Sequence, residues 1–556
     1  PLFDVAGNAL TLNKVEISGF NTSGSGGVLR QSGGTVTITN TVLSGNRAAQ
    51  DGGAVTITGG ILEIQNTYFL NNRAGNMGGG LNILGNLKDI TISNNLFDGN
   101  SAGVFGCDLN VFGASDTTAL VARNNQFFGA GCQNVRIENP SGALLLMHNT
   151  ANNGGAEEFI HSTSSSTSLG GMLLDWLGAK SLGKSSKAAC QDFGSGALRS
   201  LGGNIATEAS CRLNQSSDLI TASTGLQGRG ANGILGVADN GPGIERGSST
   251  LVTSGNRRLL PCGYRDLRGL GRPQDANADG VFACDTGAIE KQGGANLAAP
   301  VSGTYFDTTR NGEGFSIENI GNNQAFVAMF SYGVNGGLLW FFGLGDIVGN
   351  SVVIDDFQQT AGGVFGPAFN AGNVVRSRVG GASFVFPNCA AETGPGQFAF
   401  QAAPGTAFED LLSKATRLTY VVPCTGAPNV DAGRSGSFFA PTRDGEGIFV
   451  QVLPNGRALI IWYTYDPQGR QFWTISSDAN VSGNTITASM LYPSQTTRFG
   501  SNFNQSQVQL SPWGTVTLVY SGCNALSFSY SSTVAGFGSG QYNYQRLTSL
   551  AGTNCQ

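Results

Sequence analysis

Gly52-Gly-Ala-Val-Thr-Ile-Thr-Gly-Gly-Ile-Leu-Glu-Ile-Gln-Asn-Thr-Tyr-Phe-Leu-Asn-Asn-Arg-Ala-Gly-Asn-Met-Gly-Gly79 decides the fold of the first third of this chain. It begins and ends on a Gly-Gly pair, and the same pair stands at Gly26-Gly27, a period of 26 residues. A second mark, Asn-x-x-(Leu/Phe), recurs at Asn40/Leu43, Asn66/Phe69, Asn94/Phe97 and Asn124/Phe127. Just before each lies a short alternating run: Val36/Ile38, Leu62/Ile64, Ile90/Ile92 and Leu120/Ala122. The marks advance together, so one structural unit repeats every 26–30 residues. Alternating runs bury one face, and the polar, Gly-rich stretches between them turn the chain. One turn cannot bury its own inner face, whereas stacked turns share a continuous core. The period therefore predicts a right-handed parallel β-helix. Phe69, Phe97 and Phe127 should form an internal aromatic ladder, and Asn at equivalent turns should bond the backbone of neighbouring coils. Leucine-rich and helical solenoids fail because no 3.6-residue periodicity runs through residues 1–150.

With 556 residues the chain has room for two to four domains. Charged residues are only 12% while hydrophobic ones reach 40%, so the charge deficit is not a sign of disorder. Gly, Ser, Thr and Asn take the place of charge, a mixture suited to exposed β-surfaces outside the cell. A net charge of −5 gives no support for nucleic-acid binding. The chain opens at Pro1 with a strand-like run, Ala9 to Ile17, close behind, which reads as a processed or truncated start, and no membrane span is expected.

The ten cysteines fall into neighbouring pairs: Cys107/Cys132, Cys190/Cys211, Cys262/Cys284, Cys389/Cys424 and Cys523/Cys555. No C-x-x-C spacing or Cys/His cluster suggests zinc. Five disulfides and an oxidising compartment are expected, each closing a loop worth on the order of 3 kcal/mol in the chain-entropy view. Cys107 and Cys132 are about one coil apart. Stacked coils lie about 4.8 Å from each other, inside the Cα window a disulfide requires.

The Gly-Gly-(Ala/Val/Leu) and (Phe/Leu)-x-x-Asn marks, at Leu43–Asn46, Phe69–Asn72 and Phe97–Asn100, resemble the repeats of polymorphic outer-membrane proteins. Farther on come Ser200-Leu-Gly-Gly-Asn-Ile205, Leu235-Gly-Val-Ala-Asp-Asn-Gly241, Asp266-Leu-Arg-Gly-Leu-Gly-Arg-Pro273 and Cys284-Asp-Thr-Gly-Ala-Ile-Glu290. These resemble the closing segment of bacterial "choice-of-anchor Q" β-helix proteins. The resemblance covers roughly residues 1–290 and implies a secreted right-handed β-helix without a general enzymatic role. A Ser/Gly-rich departure near 152–187 is expected to be a lateral insertion or cap, with Met172-Leu-Leu-Asp-Trp-Leu177 as a small helix.

From about residue 300 the chain is duplicated. Arg310-Asn-Gly-Glu-Gly314 matches Arg443-Asp-Gly-Glu-Gly447, and Tyr332, Gly336 and Trp340 match Tyr465, Gly469 and Trp473, all at an offset of 133. Phe365, Asn370 and Cys389 match Phe499, Asn504 and Cys523 at 134. Two copies of one antiparallel β-sandwich or barrel follow. Asn311-Gly312 and Asp444-Gly445 suit type I′ hairpins. The copies are similar to a Gly-Glu-Gly/Trp-Tyr-Thr-Tyr-Asp repeat near the C-termini of bacterial secreted proteins. The domain expectation is a β-helix over 1–290, one β-domain over 291–428 and its copy over 429–556.

Candidate sites are few. Asp275-x-Asn277-x-Asp279-Gly280 has the first half of a calcium loop, with Asp285 beside the position of the closing carboxylate; calcium there would be structural, and an Asx-rich turn is the alternative. Tyr332, Trp340, Tyr465 and Trp473, with Trp462 and Tyr463, could stack on sugars if exposed; core packing is the alternative. Trp462 and Thr464 should share one strand face, and Tyr463 and Tyr465 the other. Glu313 and Glu446 read as hairpin-closing or backbone-bonding groups, and Glu157-Glu158 as a solvated turn. His148 and His161 are the only histidines, and no triad motif accompanies them. The expectation is a non-catalytic secreted or cell-surface structural or adhesive protein of bacterial type, with no cofactor unless structural calcium. It would associate with itself, in a filament or matrix, or with a cell-surface or glycan partner. A glycan-binding protein, or a β-helix polysaccharide lyase or hydrolase, is the alternative.

Overall fold

The computed structural model describes all residues except 114–119, 129–131, 139–143, 153–158, 163–166, 176–188, 193–197, 255–256, 294–300, 388–394, 424–427, 429–430 and 556. Among the described residues there is no α-helix. The chain divides into two compact units: Pro1–Gly293 with Ala403–Thr406, and a second unit holding two closed barrels.

The first unit is a parallel β-helix whose strands form 14-stranded, nine-stranded and four-stranded sheets. Register follows the repeat. Ile38 pairs with Ile64, then Ile92, Ala122, Leu146 and Leu169, an inward column with no solvent exposure. Leu43, Phe69, Phe97 and Phe127 pair in a second column. Their rings stack with centroids 4.7 Å apart for Phe69–Phe97 and 5.0 Å for Phe97–Phe127. The expected ladder is therefore present, and it is dictated by the strand spacing of about 4.8 Å. The Gly-Gly mark has an equally direct cause: a Cβ on Gly53 would come within 2.2 Å of the Gly79 carbonyl oxygen in the next coil.

Two asparagine columns bind the turns together. Asn46 Nδ2 donates to Asn72 Oδ1 and Asn72 Nδ2 to Asn100 Oδ1, both at 3.0 Å, while each acceptor oxygen also takes the previous backbone amide. Asn95, Asn125 and Asn149 repeat the pattern at 2.9 Å. Buried amides thus satisfy one another coil by coil, as the low dielectric of a core demands. Asn40, Asn66, Asn94 and Asn124 have positive φ, a conformation Asn tolerates better than most residues, and His148 takes the same conformation one coil on.

The segment near 152–187 differs from expectation wherever it is described. Ile160–Ser162, Thr167–Gly170 and Leu173–Asp175 are coil strands in the two larger sheets. Leu169 and Leu174 point into the same core, so the described part of the apolar run, Leu173–Asp175, extends the stack as a strand. Glu157-Glu158, Trp176 and Leu177 lie outside the described residues.

The second unit contains two closed eight-stranded antiparallel barrels, from Gly303–Phe306 to Leu411–Arg417 and from Gly436–Phe439 to Ser539–Arg546. Barrels were one of the two expected forms. Closure removes free sheet edges, which an open sandwich would leave. The type I′ expectation fails. Asn311 is not in the left-handed region and Asp444 has φ −61°, so each Gly ends a longer loop. The positive φ of Gly312 and Gly445 serves close approach instead: a Cβ there would lie 2.7 Å from Val508 and 2.6 Å from Val374, each in the other barrel.

Disulfides Cys107–Cys132, Cys190–Cys211, Cys262–Cys284 and Cys523–Cys555 are formed, with Cα–Cα distances of 5.8, 4.9, 6.4 and 5.8 Å. Cys389 and Cys424 lie outside the described residues.

Candidate functional site: the paired barrels

The two copies face each other through matched residues, so nearly every contact occurs twice. Trp473 Nε1 donates to the Ser331 carbonyl at 3.1 Å, and its counterpart Trp340 donates to the Thr464 carbonyl at 3.3 Å. The Tyr332 hydroxyl donates to the Gly312 carbonyl at 2.8 Å, and that of Tyr465 to the Gly445 carbonyl at 3.1 Å. Arg310 pairs with Glu313 and reaches the Gly500 carbonyl at 3.0 Å, while Arg443 pairs with Glu446 and reaches Gly366 at 3.0 Å. Each glutamate also accepts a hydroxyl proton, Glu313 from Ser331 at 2.6 Å and Glu446 from Thr464 at 2.7 Å. Burial pushes both carboxyls up, and the adjacent arginines oppose this. The recurring Arg-x-Gly-Glu-Gly motif is thus a buried clasp between copies.

Each copy also lends a ring to the other's core. Phe365, from the loop after strand Ser351–Ala361, packs among Trp462, Tyr530 and Phe537 with centroids 5.6, 5.5 and 4.6 Å away. Phe499 packs among Phe341, Phe400 and Phe408 at 6.0, 5.8 and 5.2 Å. At the poles the symmetry is chemical but imperfect. Gln451 accepts from Thr304 and Thr419 at 3.0 and 2.5 Å, whereas the matching position carries Glu318, which accepts from Ser437 at 2.9 Å and from Thr548. Burial raises the Glu318 carboxyl to about 7, opposed by those hydroxyls.

This arrangement corrects the sugar-platform expectation. Tyr332, Trp340, Tyr465 and Trp473 are at most 5% exposed, and their rings pack on one another, 6.2 Å for Tyr332–Trp473 and 6.4 Å for Trp340–Tyr465. A stacking platform needs a free face, and pairing of the barrels has covered these. The expected alternation is present: Trp462 points into its barrel, and Tyr463 joins the inter-barrel cluster.

The calcium candidates do not converge. The Asp275 carboxylate accepts from the Asp279 and Gly280 amides at 3.0 Å, and Asn277 and Asp279 cap the next amides, which is Asx-turn geometry. Asp285 is buried and accepts instead from the Glu245 and Lys291 amides, at 2.7 and 2.5 Å. No cluster of three metal-ligating acids, histidines or cysteines occurs among the described residues.

His148 and Glu290, both fully buried in the β-helix unit, are held by Arg272. Arg272 is fully buried, pairs with Glu290 at 2.7 Å and donates to Asn124 Oδ1 at 2.7 Å and the Asp285 carbonyl at 2.6 Å. His148 Nδ1 lies 2.9 Å from that carbonyl, and burial beside Arg272 pushes its imidazole down to about 3. Gln65 donates to the Tyr264 hydroxyl at 2.7 Å, and Asn124 to the Cys262 and Arg265 carbonyls at 2.6 and 2.9 Å. The closing segment around Cys262–Glu290 is therefore locked to the coils by buried polar bonds. The side chain of His161 lies outside the described residues.

Sequence reasoning missed the roles of Phe365, Phe499, Arg310, Arg443 and Arg272. The constant offset between copies was the available signal for the first four, since a residue kept in both copies outside the strands must serve something common to both. No family profile, curated protein or solved structure matches this chain. Among the described residues no helix is long and apolar enough to cross a membrane.

Proposed function

We propose that this chain is a non-catalytic secreted or cell-surface structural or adhesive protein of the choice-of-anchor Q and polymorphic outer-membrane-protein kind. The β-helix is its rigid element and the paired barrels its contact module, through which it associates with itself. One observation carries the reading: the three buried Arg–Glu pairs and His148, all among the described residues, are engaged in holding the fold. Arg272–Glu290, Arg310–Glu313 and Arg443–Glu446 are buried ion pairs, and His148 is enclosed between coils and closing segment. The disulfides are consistent with an oxidising, extracellular setting. The low charge leaves little repulsion between copies.

Sedimentation and electron microscopy across a concentration series test this. Reversible assembly that grows with concentration is expected. Monodisperse particles at every concentration, together with release of unsaturated products from polyuronates, would overturn it. The glycan-binding alternative now needs a surface other than Tyr332, Trp340, Tyr465 and Trp473.

A further inference from the structure

The paired barrels leave a half-open hollow at their contact. A cavity of about 240 Å³ lies between them, walled by Phe326, Trp340 and Phe342 of the first copy and Phe439, Phe449 and Tyr463 of the second. Its lining is overwhelmingly apolar. At its lip stands the exposed ion pair Arg376–Asp444, 2.7 Å long and joining the two copies. We propose that this cavity is a binding site for a small aromatic group: one substituted ring inserted between the barrels, its polar substituent left at the Arg376–Asp444 lip.

Three observations support this. First, size: dry apolar cavities on the order of 150 Å³ accept a benzene molecule, so this one admits a ring with a substituent. Second, chemistry: aromatic walls with a few polar groups at one end are the usual make-up of a small-molecule pocket. Third, asymmetry. The counterparts of Arg376, Asp444 and Phe449 under the duplication offsets are Leu510, Asn311 and Ser316, with neither the charges nor the ring. The charged lip and added ring are therefore features of one side only. Because both copies supply wall residues, the site exists only in the paired module. The inference rests on that pairing and is independent of the self-association proposed above.

The test uses the full chain with indole as probe. Calorimetry and saturation-transfer NMR should give one saturable site, with Kd on the order of 1 mM for so small a ligand. Ala328, 2% exposed in the wall, is the filling position. Ala328→Phe puts a ring in the cavity and should weaken binding at least about tenfold. Leu547, 54% exposed and lining the mouth, allows Leu547→Trp to narrow the entrance without touching the buried pairing, and it should weaken binding too. Absence of saturable binding to the folded wild-type chain overturns the proposal. So does indole affinity unchanged in the Leu547→Trp chain and in any folded Ala328→Phe chain.

Discussion

Replacing Phe365 by Ala should destabilise the barrel to which Phe365 does not belong in sequence. The ring is 6% exposed and sits among Trp462, Tyr530 and Phe537 of the second copy. Truncating a buried Phe costs about 3–5 kcal/mol, the lost transfer energy plus the cavity left behind. Three bulky rings around the hole limit collapse, so a value of about 4 kcal/mol is expected. Hydrogen exchange followed by mass spectrometry separates this from an ordinary loop mutation. Protection should fall most in Arg457–Tyr465 and Ala525–Ser532, the strands of the second copy that carry Trp462 and Tyr530. Phe499→Ala should do the converse, loosening Leu338–Val348 of the first copy around Phe341. Loss of protection confined to the mutated copy, or a change below about 1 kcal/mol in denaturant unfolding, would refute the reciprocal exchange of rings.

Further outcomes follow from the buried groups. Glu318 has its carboxyl raised from 4.5 to about 7 in the folded protein, so the unfolded state releases its proton first. Stability of the barrel unit should therefore fall as pH rises from about 4.5 to 7, by about 3 kcal/mol in all, and then level off. Glu318→Gln, which copies Gln451 at the matching pole, should flatten that slope in pH-dependent denaturant melts. His148 behaves oppositely: with its imidazole pushed from 6.5 down to about 3, the unfolded state takes up the proton first. The β-helix unit should lose stability as pH falls below 6.5, and His148→Asn, which suits the positive φ held by the neighbouring asparagines, should blunt the loss. Phe97→Ala breaks the aromatic ladder at its middle rung and should cost about 3–5 kcal/mol, measured as a drop in the unfolding midpoint of the β-helix unit.

Much of this molecule was legible in the chain, because repetition converts sequence spacing directly into spatial neighbours. A 26-residue period with inward Ile and Phe leaves one way to bury both, and Phe69 against Phe97 follows from strand spacing alone. The duplication at 133–134 residues likewise revealed two like domains and the alternation around Trp462. The partner of each outward face was decided only by tertiary structure. Alternation puts Tyr463 and Tyr465 on the strand face opposite Trp462, and it cannot distinguish solvent from a second barrel as what that face meets. Nor could spacing place Arg272 under Asn124 and His148, or carry Phe365 into the other copy's core. Those contacts join residues about 100 or more positions apart. Their geometry is set by how completed coils and barrels pack, a long-range choice that local patterning leaves open.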